Sequence, residues 1–200
     1  MSFQTIVDIQ TSMTVNNRRT IGQQVSRSGQ LRVAQYLTSV PWVFTIVPHN
    51  YLYYPQVRAV IQAIDNADRQ IASNITFSPP NLQWFTKMQG TATAATLATT
   101  PTANTQTLTL SSNGTYKAGD FIQVGGYVYK VTADSAGTTV NIHRPLIGIP
   151  SSGSVVTIGN NVSFNVVAEA CPTYTLNPMT DGAFVEWDAP FVFRENITNG

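Results

Sequence analysis

Gly125 and Gly126, with Lys130 a few residues on, give the stretch GDFIQVGGYVYKVTADS (residues 119–135) the composition of a phosphate cradle. A cradle works because glycines let backbone N–H groups approach the anion and a helix starts directly after them. Here Tyr127, Val128, Tyr129 and Val131 follow, residues that favour a strand, and no Gly-Lys-Ser/Thr ending of a Walker loop is present. A Gly-Gly pair between two alternating runs supplies the positive φ values of a two-residue turn, so the stretch is expected to be a β-hairpin.

The other reactive residue types are scattered. His49 in VPHNY and His143 in NIHRP are far apart, and neither has another histidine or the lone Cys171 nearby at zinc-ligand spacing. Glu186 and Asp188, two apart in FVEWDAPF, would share a strand face as an acid/base pair requires, but are expected to face solvent opposite Trp187. Asp120 and Asp134 flank the hairpin without the dense oxygen ligands of a calcium loop, and Asp120 is expected to bond turn amides. Ser and Thr abound with no partnered base. The sequence therefore points to no enzyme, no cofactor and no metal site.

One charge feature stands out. No acidic residue falls between Asp8 and Asp65, whereas Arg18, Arg19, Arg27 and Arg32 all do. If they occupy the tip of an N-terminal hairpin, that tip is positive and suited to bidentate pairing with carboxylates at a subunit contact. A solvated loop is the plain alternative, and contact with DNA a weaker one, since the patch is small and a net charge of +1 lacks the basic excess of a dedicated nucleic-acid binder.

The elements that must hold these residues follow from composition and period. The 200 residues are 42% hydrophobic and only 10% charged, against about 25% in ordinary soluble proteins, with Thr, Ser, Asn and Gln making up the polar balance. A surface of uncharged polar groups suits a subunit that sits against other subunits. One cysteine excludes an internal disulfide. The start MSFQTIVDIQTSMTVNNRR lacks the apolar core of a leader, and no apolar run approaches the ~18 residues of a membrane span. The Asn-X-Ser/Thr matches at Asn74, Asn113, Asn161 and Asn196 therefore have no secretory context.

TIVDIQTSMTVNN and QLRVAQYLTSV read as strands joined by the loop IGQQVSRSGQ, and PWVFTIVP (41–48) as a proline-bounded strand. Val57, Val60, Ile61, Ile64, Ala67 and Ile71 fall at helical spacing, giving one amphipathic helix over about 55–71 with Pro55 in its first turn. SNITFS and LQWFTKMQG return to strands. From Gly90 the chain turns Ala- and Thr-rich, and the short runs QTLTLSS, DFIQVG, YVYKVTAD, TTVNIHR and SVVTIG suggest a small barrel. After Asn160, NVSFNVVAEACPTYTLNP and GAFVEWDAPFVFREN are longer aromatic strands, with Phe184, Trp187, Phe191 and Phe193 expected in the core or an interface. The expected fold is mainly β: residues 1–90 plus 159–200 form a β-sandwich with one packed helix, interrupted by a small OB-like β-barrel at 91–158.

The segment KAGDFIQVGGYVYKVTADSAGTTVNIHRPLIGIPSSGSVVTIGN (117–160) resembles the inserted module of certain tailed-bacteriophage tail and baseplate proteins. Those carry a Gly-Asp-aromatic/Ile-Ile-Gln run, a turn, a KVTAD strand, an I-x-R/P-P-L stretch and a Gly-x-x-Val strand. The flanks, with PWVFTIV, one helix, PTYTL and an aromatic last strand, are similar in layout to distal-tail-like and tube-initiator proteins. The resemblance covers most of the chain. It implies a tail-tube-like body that closes into a homohexameric ring, stacks on the tail tube and offers an adaptor surface to hub, baseplate or sheath, with the barrel projecting outward. It further implies a virion protein assembled in the host cytoplasm, touching DNA at most transiently through the lumen, and no membrane. A second reading makes the barrel a carbohydrate- or receptor-binding module of a tail tip, with Tyr116, Tyr127 and Tyr129 as stacking platforms.

Overall fold

Phe3, Ile6 and Val7 stand three and four residues apart, and in the computed structural model all three are buried on one face of a helix, α1 (Ser2–Asp8). The structure describes residues 2–18, 21–35, 40–50, 52–67, 72–77 and 83–198. After α1 come strands β1 (Gln10–Asn16), β2 (Ile21–Val25), β3 (Leu31–Gln35), β4 (Val43–Pro48) and β5 (Leu52–Tyr53). Helix α2 (Tyr54–Ala67), strand β6 (Ser73–Thr76) and a one-turn helix α3 (Gln83–Thr86) follow. The next run is β7 (Ala95–Thr96), β8 (Thr107–Tyr116), β9 (Phe121–Val124), β10 (Tyr127–Lys130), β11 (Ser135–Asn141) and β12 (Val155–Ile158). The chain finishes with β13 (Ser163–Ala170), β14 (Tyr174–Met179), β15 (Gly182–Trp187) and β16 (Phe191–Glu195). The fold is mainly β.

The body is built on a five-stranded sheet in the order β1-β4-β16-β13-β6, antiparallel throughout, so strands from both ends of the chain pair directly. Alternation sends Phe44, Ile46, Ile75, Phe164, Val166, Phe191 and Phe193 to one face, all fully buried. Against that face pack α1, α2 through Val57 and Ile61, and the sheet β14-β15-β5 through Val185 and Trp187. The other face is wetter and carries a bidentate Arg194–Glu169 pair at 2.8 and 2.9 Å. That carboxylate raises the guanidinium's pKa.

The barrel has a core of its own, drawn from residues between Ala95 and Ile158. β10-β9-β12-β7 form one sheet and β11-β8 another, and single bridges at Leu97–Leu110 and Val131–Ile142 join them at both margins. In β9 and β10 the alternation serves both cores. Ile122, Val124 and Tyr129 face the barrel interior, while Phe121 and Val128 join the body's core. Phe121 lies 5.1–6.2 Å from the rings of Phe85, Trp42 and Phe164.

Several expectations are revised. TIVDIQTSMTVNN is not one strand: Thr5–Asp8 belong to α1, because Phe3, just upstream, completes a helical stripe that outweighs the local alternation. IGQQVSRSGQ is not only a loop, since Ile21–Val25 pairs with Leu31–Gln35 and only Ser26–Gln30 turns. LQWFTKMQG holds the helical turn α3, which drops Phe85 between Phe77 and Phe121. The two long C-terminal runs each break in two, at Cys171–Thr173 and at Asp188–Pro190, where prolines end the ladder. The helix is found at α2; residues 68–71 of its expected span lie outside the described residues.

Candidate functional site

Arg144 leaves the barrel just after β11, and Glu195 closes the body's last strand; their side chains meet with only 2% of each exposed. The guanidinium grips the carboxylate bidentately, Nη1 to Oε2 at 2.6 Å and Nη2 to Oε1 at 2.7 Å. It also donates to the carbonyls of Val40 (2.8 Å) and Val128 (2.9 Å), while its Nε has no hydrogen-bond partner among the described residues. Trp42 completes the arrangement, giving its backbone N–H to Glu195 Oε2 (3.1 Å) and its indole N–H to the Val128 carbonyl (2.9 Å). The Tyr129 ring lies beneath the guanidinium at 5.1 Å, and its hydroxyl accepts from Ile147 N–H at 2.9 Å. Burial pushes that phenol up to about 12. His143 packs on Trp42 at 5.2 Å and accepts the Lys130 N–H on Nδ1 at 3.0 Å.

Two further ties fix the barrel to the body. Asp120, 1% exposed, accepts N–H bonds from Gln89 (2.7 Å), Gly90 (3.1 Å) and Lys117 (2.8 Å), pinning the chain where it crosses into the barrel. Gly90 is required there: a Cβ would stand 1.9 Å from the Thr115 carbonyl oxygen. Where the chain crosses back, the Gln123 side-chain amide pairs with the backbone of Ser163, donating at 2.8 Å and accepting at 3.0 Å.

A substrate needs an opening lined by groups that can act on it. The groove of about 430 Å³ beside these crossings is lined by Met88, residues 92–94 and residues 155–161, with no titratable side chain. Another, of about 440 Å³, touches Lys130 and His143. Among the described residues no three His, Cys, Asp or Glu side chains gather as metal ligands, and no helix is long and apolar enough to cross a membrane. No protein-family model and no curated protein matches this chain.

The residues singled out from the sequence separate sharply. The glycine pair is a hairpin turn, φ +59° and +86°, between the paired Val124 and Tyr127. Asp120 does bond turn amides, whereas Asp134 is exposed, bonded to the Lys117 ammonium at 2.6 Å, which lowers its pKa. Glu186 is half-buried and accepts from Asn177, and exposed Asp188 accepts from Thr173, so they form no acid/base pair with each other. The proposed stacking platform fails because Tyr116 and Tyr129 are fully buried in the barrel core. Tyr127 is half-buried, and its hydroxyl donates to the Thr198 carbonyl at 3.0 Å. Arg18 and Arg27 are exposed at the base and tip of the β2–β3 hairpin. Arg32 lies in β3, and Arg19 falls outside the described residues. Sequence reasoning missed Arg144 and Glu195, which stand 51 residues apart; a lone arginine before a proline in so weakly charged a chain was the only signal.

Proposed function

We propose that this chain is a structural virion protein of a bacteriophage tail, closing with copies of itself into a hexameric ring at the tube–baseplate junction. There it acts as an adaptor between the tail tube and the baseplate or hub, and performs no catalysis. The observation that carries this reading is architectural. The outer strands of the sequence share one sheet, through β4 and β16, while the middle third is a barrel tied into that body by a buried ion pair. This is the layout implied by the resemblance of residues 117–160 and their flanks to distal-tail-like and tube-initiator proteins. The chain also offers surfaces that suit assembly: the β2–β3 hairpin makes no extended contact with any other described element, and β1 is an edge strand of the main sheet.

Mass photometry and negative-stain imaging of the purified chain test the proposal. The expected result is a closed particle of about six times the 21.8 kDa chain mass. A species that stays monomeric at tens of micromolar, with no copies on labelled phage tails, would overturn it.

A further inference from the structure

We propose that the β2–β3 hairpin is a docking arm that lies on the outward face of β14–β15 of a second copy of this chain. Val25 and Leu31, paired across the end of the hairpin, are 68% and 57% exposed, and Arg27 is exposed in the turn between them. An isolated two-stranded hairpin is marginal in water and needs a third layer, which this chain does not give its own arm among the described residues.

The complementary surface is on the same chain. On β14–β15, Tyr174, Val185 and Trp187 point to the core, so their alternates Met179, Phe184 and Glu186 point outward. Met179 is 54% exposed, with Asp181 in the adjoining turn and Asp188 just beyond β15. The sequence carries no Lys or Arg between Arg144 and Arg194, just as it carries no acid between Asp8 and Asp65. No salt bridge among the described residues engages Arg18, Arg27, Asp181, Glu186 or Asp188. A basic arm with an apolar end thus matches a face that carries Met179 and Phe184 beside Thr175 and Asn177, with an acidic rim. Two different patches used head to tail generate a ring when the rotation closes, so the inference rests on the proposed ring and names its contact.

The test uses two charge-reversed full-length chains, R18E/R19E/R27E/R32E and D181K/D188K, with circular dichroism melts as the folding control. In the first, arm and face are both acidic; in the second, both are basic. Each alone is expected to need at least about tenfold more protein for half-assembly than the wild type, an effect that shrinks at high salt. An equimolar mixture, in which opposite charges meet at every contact of an alternating ring, is expected to restore assembly. The uncharged V25S/L31S chain is expected to assemble poorly at any salt concentration. A wild type that forms rings while both reversed chains assemble equally well, or a mixture that fails to rescue, overturns the arm contact and leaves the ring standing. A wild type that never assembles overturns both.

Discussion

Glu195→Ala is the most informative single change, because it removes one partner of the buried pair and leaves the other in place. Arg144 would lose two charge-assisted bonds of 2.6 and 2.7 Å, and the Trp42 amide would lose its acceptor. With 2% of its side chain exposed, the guanidinium cannot be rehydrated without opening the barrel–body contact. Breaking such a pair from one side costs about 3–5 kcal/mol. Each kcal/mol moves the melting temperature of a protein this size by about 2–4 °C, so the expected fall is on the order of 10 °C. Urea unfolding followed by tryptophan fluorescence is the assay, since Trp42 sits on the pair. The double change Arg144→Met with Glu195→Leu is expected to cost less than Glu195→Ala alone, because no unpaired charge remains inside. Limited proteolysis should show the barrel released before the body in the single variant. A loss under about 1 kcal/mol, or a double-mutant cycle additive to within about 0.5 kcal/mol, would refute the reasoning.

Asp120→Asn puts an amide where three backbone N–H groups converge and is expected to cost about 2 kcal/mol or more by chemical denaturation. Asp134→Asn, which removes the charge from an exposed pair while its amide oxygen can still accept the Ala118 N–H, should shift the melting temperature by no more than about 2 °C. Gly90→Ala, driving a Cβ into the Thr115 carbonyl, should leave little soluble protein, read as the soluble fraction on expression. Burial raises the Tyr129 phenol from 10.0 to about 12, so the folded state keeps a proton that the unfolded chain gives up. Stability is therefore full below pH 10 and falls as the pH rises through 10 to 12, and phenolate absorbance should show two late-titrating tyrosines, Tyr129 and the likewise buried Tyr116, until the chain unfolds. The isolated 91–158 fragment exposes Phe121 and Val128 and strands Arg144, so light scattering should show it aggregating where the full chain does not.

What was legible in the sequence was local. The Gly125-Gly126 turn, the α2 stripe and the strand alternation of the barrel each depend on residues a few positions apart. The helical stripe of α1 was equally local, but Phe3 lies ahead of a run whose own alternation reads as a strand. Prolines mark where the two long C-terminal runs fold back, yet alternation continues across both breaks, so period alone does not reveal four strands there. The burial of Tyr129 was not legible either. Alternation places Tyr127 and Tyr129 on one face correctly, but only closure of the sheet makes that face an interior.

The contact between barrel and body is the least local feature, and it accounts for how a chain with so few charges uses one pair. Trp42, Val128, Arg144 and Glu195 come from four separate segments, so no motif spacing could gather them. An apolar seam alone, through Phe121 and Val128, would hold the modules together but would tolerate sliding, since such contacts have no preferred direction. The planar fork of Arg144, set against one carboxylate and two carbonyls, accepts a single orientation. In the ring proposed above, a subunit would need its contact surfaces at fixed angles, and a directional lock at the seam would supply that where net stability alone would not.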